Sequence, residues 1–298
     1  MKKKDISNFI LKLERNSDSH KYDYGHTMVI AGSKCMPGAG ALCCLGALRS
    51  GTGLVTYAVK NDFLNQACSI SRPEVMFFVY ETVSEILNFI NYKNVSSIVI
   101  GPGLKVECDD VLRNFIKEII CNINLPVILD ASGVTCFKGA LSEFNKNVQA
   151  NIVITPHIGE FSKLLNIDIP KIKCEKEKIV MNFAKKKSVI CVLKCNNTVV
   201  SSGEKTYINN TGTPFMATAG SGDVLSGIIS SFVNIIDDTF EAVKFAVFIH
   251  GLTGELLEKK KYATGTIASD IAEYFCYTIE YLKRREKISL QHIQNRVM

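Results

Sequence analysis

Short apolar runs rich in β-branched residues alternate with helix-patterned stretches through most of this chain. The runs fall at residues 27–31, 54–59, 97–100, 126–129, 152–154 and 189–193. They are apolar throughout rather than every second residue, which is typical of strands buried on both faces. This order of strands and helices predicts an α/β fold, in which helices cover both faces of a mostly parallel sheet.

The second half of the chain departs from this alternation. Residues 198–202 and 205–208 form two short runs separated by Gly203 and Glu204, which predicts an antiparallel hairpin. Helices are predicted over 39–50, 222–236, 239–258 and 266–284. Because no repeat, low-complexity segment or linker interrupts the 298 residues, we expect one domain over 1–298.

Composition argues against several classes of function. The net charge of +6 comes partly from lysine clusters separated along the chain, without an aromatic-rich basic stripe, so no nucleic acid partner is expected. No run of about 18 apolar residues is present to span a membrane. The eleven cysteines include no C-x-x-C pair. Most of them lie in apolar runs, which predicts buried thiols rather than a disulfide framework or a zinc site, and a cytoplasmic protein.

The strongest chemical indication is a turn of small residues, Ala219-Gly220-Ser221-Gly222-Asp223, that opens onto an apolar helical pattern. The first N–H groups of a helix have no partner within the helix, and the helix dipole adds positive potential there. Gly220, Ser221 and Gly222 are therefore candidates for an anion hole. Asp223 lies in the first helical turn, where it is placed to act as a base. An ordinary N-cap explains the same pattern.

Other polar residues follow the ends of predicted strands, the edge at which open α/β sheets bind ligands. A Gly-rich loop spans 32–40, the backbone at Gly103 allows close approach of a ligand, and His157 precedes a predicted helix. Lys194 ends a buried strand and is a candidate phosphate ligand. Each has a plainer alternative: a tight turn, a structural histidine, helix capping by Glu160, or a solvated hairpin.

In this order, the motifs resemble those of one family. They are H-K-x-x-x-G-H-T-M-V-I-A-G-S at 20–33, P-G-A at 37–39, G-P-G-L at 101–104, L-D-A at 129–131, T-P-H-x-G-E at 155–160, L-K at 193–194 and M-A-T-x-G-S-G-D-V-L-S-G at 216–227. The set is similar to that of the ADP/ATP-dependent NAD(P)H-hydrate dehydratases, over roughly residues 20–280. The resemblance implies a ribokinase-like three-layer sandwich.

The resemblance also implies a cofactor-repair reaction. NADH or NADPH hydrated at C6 of the nicotinamide ring is phosphorylated by ADP, which leaves AMP, or by ATP, which leaves ADP. Phosphate is then eliminated, and NAD(P)H is restored. Family members use Mg²⁺ with the nucleotide. Many are tetramers, so the resemblance implies a homo-oligomer.

Site residues follow from the same resemblance. Asp223 contacts the hydrate and is the expected base, and Ala39, Gly103 and His157 contact the hydrated dinucleotide. The residues implied for the adenine nucleotide site are Lys194, Cys195, Asn196, Asn197, Thr198 and Gly222.

The chain departs from the family pattern at three positions. Cys195 stands where Gly is usual and adds a side chain to the nucleotide loop. Ala219 also replaces a usual Gly, and it fits the turn only if its φ is negative. Ser132 replaces the second carboxylate of the frequent L-D-A-D pattern, which puts any role of that carboxylate in doubt.

Two alternatives remain open on the sequence alone. A ribokinase-like kinase of a thiazole or hydroxymethylpyrimidine alcohol would use the same anion hole and base, although segments 155–160 and 37–39 favour the dehydratase. A passive nucleotide-binding protein would have no need of a base at Asp223. Because only about 20 residues precede the strand region, no N-terminal epimerase domain is expected.

Overall fold

The computed structural model describes residues 1, 3–105, 108–143, 151–262 and 264–297, and these form a nine-stranded sheet. The strands are β1 His26–Ile30, β2 Leu54–Val59, β3 Met76–Val79, β4 Ser97–Ile100, β5 Val127–Leu129, β6 Ile152–Ile154, β7 Ile190–Leu193, β8 Val199–Ser201 and β9 Thr206–Ile208. Their order across the sheet is β3-β2-β1-β4-β5-β6-β7-β8-β9. Strands β1 to β7 pair in parallel, whereas β8 and β9 pair antiparallel.

Helices connect the parallel strands and follow the final hairpin. They are α1 Lys3–Lys12, α2 Pro37–Arg49, α3 Leu64–Ile70, α4 Val83–Tyr92, α5 Asp109–Cys121, α6 Ser132–Thr135, α7 Ile158–Leu165, α8 Ile169–Lys187, α9 Ser221–Phe232, α10 Thr239–Leu257 and α11 Ala268–Val297.

Two hydrophobic clusters lie on opposite faces of the sheet. Because successive side chains of a strand point to opposite faces, Val29 packs into the cluster formed with α2, α9, α10 and α11. Its neighbours Met28 and Ile30 pack into the cluster formed with α4, α5, α7 and α8. All five residues of β1 are buried. The result is the predicted three-layer α/β sandwich with a mostly parallel sheet.

The predicted strands match the observed ones closely. The predictions at 54–59, 97–100 and 152–154 are confirmed to the residue, the other three lie within one residue, and the hairpin is confirmed. Strand β3 was not predicted. It is the edge strand beside β2, with Met76 and Val79 exposed, so it lacks the burial that marks the central strands. The last helix was predicted too short, because α11 continues to Val297.

The sheet has one point at which the strand order reverses. The chain runs outward from β1 through β2 to β3 and then returns to β4 on the other side of β1. The loops after β1 and β4 meet there, with the Gly32 N–H donating to Pro102 O at 2.7 Å. Such switch points form crevices outside the carboxyl ends of strands.

The thiols and helices bear on two further predictions. All eleven cysteines are free, but the prediction of buried thiols is wrong for most of them. Cys43, Cys44, Cys136 and Cys191 are buried, Cys195 is half-buried, and the exposed ones are Cys35, Cys68, Cys108, Cys121, Cys174 and Cys276. Within the described ranges, no helix is long and apolar enough to span a membrane.

Candidate active site

A cavity of about 790 Å³ opens at the carboxyl edge of the sheet. The ends of β5, β6 and β7, the start of α9 and one side of α10 form its walls. The candidate residues that line it are His157, Lys194, Cys195, Asn196, Asn197, Thr198, Ser221, Gly222 and Asp223. Residues from five distant parts of the sequence therefore meet in one space.

The turn before α9 has the geometry of an anion site. Gly220 is the N-cap residue with φ of 87°, which glycine adopts without strain, and Ala219 is not among the residues with positive φ. The N–H groups of Gly222 and Asp223 have no hydrogen-bond acceptor in the described part of the chain. The Ser221 N–H does have one, the Thr218 carbonyl at 3.4 Å, so it is a poorer donor for the anion hole than predicted.

Asp223 is a half-buried carboxylate in the first turn of α9. No hydrogen bond to its side chain forms within the described residues. Burial raises its pKa from 3.8 to about 7, and the Asp130 carboxylate adds to this; Lys194 lowers the pKa, and Glu160 raises it. A base with a pKa near 7 is well matched to proton transfer at neutral pH.

Lys194 is held by a buried acceptor. Its Nζ donates to Asp130 Oδ1 at 2.7 Å. Burial would lower the pKa of Lys194, but the charge of Asp130 and this hydrogen bond outweigh it and raise the pKa. A Cβ built on Gly222 would lie 2.9 Å from the Lys194 Nζ, so the ammonium sits against the turn of α9 and a side chain at Gly222 would push it away.

The loop after β7 is fixed by its own residues and by α8. Asn197 adopts a left-handed conformation with φ of 54°, which asparagine tolerates better than most residues. Lys176 donates to the backbone oxygens of Asn196 and Asn197 at 2.8 and 2.9 Å, and its Nζ lies 3.8 Å from Cys195 Sγ. Thr198 Oγ1 donates to Cys195 O at 3.0 Å. The loop is thus shaped before any ligand binds.

His157 caps α7. Its Nδ1 accepts from the N–H groups of Gly159 and Glu160 at 3.0 and 3.2 Å, and Glu160 Oε2 accepts from the His157 N–H at 2.8 Å. The capping alternative considered for Glu160 is therefore present. The His157 side chain lines the cavity and remains 59% exposed, with Nε2 at 3.5 Å from Glu160 Oε1.

Ala39 and Gly103 lie outside the cavity lining, at the switch point. A Cβ built on Gly103 would lie 2.8 Å from Ala39 Cβ, so the two backbones are in close approach. The start of α2 reaches the turn of α9, because a Cβ on Gly220 would collide with Leu42 Cδ1. The turn thus separates two regions, the cavity on one side and the Ala39–Gly103 surface on the other.

Two cavity residues were missed by the sequence reasoning. Asp130 appeared only as part of the L-D-A motif, without a role. His250 is a buried histidine on α10; one ring nitrogen bonds to the backbone of Ser221, and Nε2 has no partner in the described chain. Burial and the nearby Lys194 lower the pKa of His250 to about 4, so it is neutral. A polar side chain directly after the apolar stretch 245–249 was the signal for it.

The described residues do not form a metal site by themselves. No group of three or more His, Cys, Asp or Glu side chains is placed to hold a metal ion in the described ranges. Asp130, the most buried carboxylate of the cavity, is already occupied by Lys194. Mg²⁺ is often bound largely by substrate phosphates, and this donor set suits that mode rather than a protein cage.

Comparison with known proteins identifies the family. A family model described as NAD(P)H-hydrate dehydratase matches residues 27–276. The chain belongs to the NAD(P)H-hydrate dehydratase family. The ADP-dependent (S)-NAD(P)H-hydrate dehydratase of Listeria monocytogenes is 32% identical over 264 residues, which cover 87% of this chain and 89% of the relative.

Two further dehydratase relatives are informative. A bifunctional NAD(P)H-hydrate repair enzyme of Thermofilum pendens is 31% identical over 278 residues, which are 90% of this chain and 52% of the relative. The chain therefore spans about half the length of that protein. The crystal structure of an ADP/ATP-dependent NAD(P)H-hydrate dehydratase from Bacillus subtilis, co-crystallised with ATP/Mg²⁺, superposes with a TM-score of 0.80 at 26% identity, covering 93% of this chain and 97% of that one. The ribokinase-like fold predicted for this chain is confirmed.

Proposed function

We propose that this protein catalyses the nucleotide-dependent dehydration of C6-hydrated NADH and NADPH. The observation that carries the proposal is Asp223, an unpaired carboxylate whose pKa is raised to about 7 beside free N–H groups. A base next to an anion hole suits the transfer of a phosphoryl group to a hydroxyl. Family membership supplies the substrate class, and it favours the dehydratase over the small-molecule kinase considered above.

The cavity takes the adenine nucleotide, which is ADP or ATP. Lys194 and the N–H groups of Gly222 and Asp223 bind the terminal phosphoryl group, since cationic and N–H donors converge at the start of α9. The loop from Lys194 to Thr198 lines the same cavity. Mg²⁺ carried by the nucleotide phosphates would neutralise part of their charge.

The hydrated dinucleotide binds on the other side of the turn. Ala39 and Gly103 present close backbone at the switch point, where dinucleotides and other ligands bind in open α/β sheets. His157 lines the cavity, and in this proposal its exposed ring contacts the hydrated dinucleotide from the cavity side. Asp223 then stands between the two substrates, within the turn that separates their sites.

The reaction follows from this placement. Asp223 takes the proton of the C6 hydroxyl while the hydroxyl oxygen attacks the terminal phosphorus of the nucleotide. The bond from that phosphorus to the bridging oxygen breaks and releases AMP or ADP. The C6–O bond then breaks, phosphate leaves with the electron pair, and the C5 proton passes to solvent, which forms the double bond of NAD(P)H. The chain's groups act by positioning and charge stabilisation, the main terms in phosphoryl transfer.

The test is direct repair in vitro. Hydrated NADH and hydrated NADPH are offered separately with Mg²⁺ and with either ADP or ATP, and recovery of the near-ultraviolet absorbance of the reduced nicotinamide is followed. We expect recovery with at least one nucleotide. Absence of recovery with every combination would overturn the proposal. The same assay decides between ADP and ATP and between the two hydrates.

A matched pair of variants tests the base. Asp223→Asn should lower kcat by about 10²- to 10⁴-fold while nucleotide binding persists, because the amide cannot accept the proton. Asp237→Asn, at a carboxylate that is 100% exposed, should leave kcat unchanged. Equal rates for Asp223→Asn and the wild type would remove Asp223 from the mechanism.

The setting is a further part of the proposal. The free thiols suit the reducing cytoplasm. A homo-oligomer, a tetramer by resemblance to the family, is proposed for the assembly and is measured by light scattering of the purified protein.

A further inference from the structure

Asp130 has no role in the mechanism above, although it is the most elaborately bound carboxylate of the cavity. It follows β5 and is 1% exposed. Its Oδ1 accepts from Lys194 Nζ at 2.7 Å and from the Ala131 N–H at 2.9 Å, and its Oδ2 accepts from Ser226 Oγ at 2.8 Å. Three elements thus converge on one side chain: the end of β5, the end of β7 and the second turn of α9.

Lys194 is only partly used by this contact. Within the described residues its Nζ donates to Asp130 alone, so two of its three N–H bonds remain for a ligand. The ammonium lies against Gly222, beside the unpaired N–H groups of the anion site. Its position relative to a bound phosphoryl group is therefore set by Asp130.

We propose that Asp130 is a positioning residue that keeps Lys194 charged and holds its ammonium beneath the turn of α9, ready for the nucleotide phosphate. This inference rests on the nucleotide site of the proposed function, but not on the identity of the second substrate. Ser226 also donates to this carboxylate, which links Asp130 to α9. One side chain therefore fixes the position of Lys194 relative to the start of α9.

The charges around Lys194 explain why Asp130 is needed. Burial is the largest effect on the lysine and favours its neutral form, while Asp130 opposes it most strongly. Glu160 on α7 and Asp223 on α9 assist from farther away, and His250 on α10 is neutral. Without the Asp130 charge, burial dominates and the pKa of Lys194 falls.

The backbone at this point agrees with a positioning role. Ala131 has φ of 48° and ψ of −117°, a conformation that residues with a Cβ rarely adopt. Its N–H donates back to Asp130 Oδ1 at 2.9 Å. Such strain persists where surrounding contacts over-determine the geometry, and it is common at functional sites.

Binding of Mg²⁺-ADP, measured by calorimetry between about pH 6 and about pH 9, tests the inference. The quantity compared is the ratio of the Kd of the double variant Asp130→Asn/Asp223→Asn to the Kd of Asp223→Asn, which is the reference Kd. The ionisation of ADP cancels in this ratio, and the Asp223→Asn background removes a second carboxylate whose pKa Asp130 also raises. We expect less than about tenfold at pH 6, where Lys194 can still be protonated, and about 100-fold at pH 9, where a charge-assisted bond is lost.

Three control variants separate positioning from general damage. Lys194→Met should weaken binding by the same factor at each pH. Ser226→Ala removes one hydrogen bond but keeps the charge of Asp130. The ratio of its Kd to the reference Kd should therefore stay below about tenfold and should not change with pH. Asp130→Glu, which also serves if Asp130→Asn does not fold, should weaken binding without a pH trend because it keeps the charge.

The outcomes distinguish this inference from the proposed function. A ratio for Asp130→Asn that does not change with pH, or a ratio for Asp130→Glu that rises with pH, overturns the role of Asp130. Wild-type protein that binds Mg²⁺-ADP but restores no hydrated dinucleotide overturns the proposed function alone. Wild-type protein that binds no adenine nucleotide overturns both.

Discussion

Replacement of the proposed base, Asp223→Asn, should abolish activity and yet stabilise the fold. The folded protein raises the pKa of Asp223 from 3.8 to about 7, chiefly by burial. Folding therefore favours the protonated carboxyl and penalises the carboxylate. The penalty is absent below about pH 4, grows as the pH rises, and is complete above about pH 7. An amide carries no charge at any pH and avoids it.

The size of the effect follows from the pKa. One pKa unit corresponds to about 1.4 kcal/mol, so a shift from 3.8 to about 7 gives an upper limit of about 4 kcal/mol above neutral pH. Asp223 lines an open cavity and is only half-buried, so solvent screening reduces this figure. We expect the stabilisation by Asp223→Asn to increase by about 1 to 2 kcal/mol between pH 5 and pH 8.

Urea unfolding of both proteins at pH 5, 6, 7 and 8 measures this increase. Asp237→Asn is the matched control, because its carboxylate is fully exposed and pairs only with Lys12 at the surface. Its effect should be small and nearly constant with pH. A stabilisation by Asp223→Asn that is equal at pH 5 and pH 8, or a destabilisation at pH 8, would refute the electrostatic reasoning about this carboxylate.

Three other predictions concern the cavity. Burial lowers the pKa of His250 from 6.5 to about 4. The free energy of unfolding should therefore fall by up to about 3 kcal/mol as the pH drops through this interval. His250→Gln should reduce that loss in unfolding experiments, and an unchanged loss would contradict the prediction. Gly222→Ala should raise the KM for nucleotide about tenfold or more, because a Cβ 2.9 Å from the Lys194 Nζ displaces the ammonium. Saturating Mg²⁺-ADP should slow alkylation of Cys195 but not of the exposed Cys276, as peptide mass spectrometry can show; equal protection of both would place the nucleotide elsewhere.

The fold could be predicted because its determinants are local. Apolar runs such as 97–100 and 152–154 correspond directly to β4 and β6, since central strands are buried along their whole length. Strand β3 was missed for the opposite reason. It lies at the sheet edge, and because Met76 and Val79 are exposed, the strand is not buried along its whole length.

The site could be predicted only where it is local too. The turn 219–223 contains both the proposed anion site and the proposed base, and the concern about Ala219 is resolved because the positive φ falls on Gly220 instead. The network of Asp130 joins residues 64 and 96 positions away, and no local pattern in the chain connects them. Such contacts appear only once the parallel strands are placed side by side.

Asp130 and Asp223 lie near each other beside the first turns of α9. They can have opposite tasks because the negative charge of only one of them is compensated by hydrogen-bond donors. Asp130 accepts hydrogen bonds from a lysine ammonium, a hydroxyl and a backbone N–H, so these three groups compensate its negative charge. Asp223 receives no hydrogen bond from the described residues, and the charge of Asp130 helps to raise its pKa. Environments that make neighbouring acids unequal are a general way to assign chemical roles. In the proposed mechanism, Asp130 therefore holds a cation for the phosphate, and Asp223, without a partner among the described residues, accepts the substrate proton.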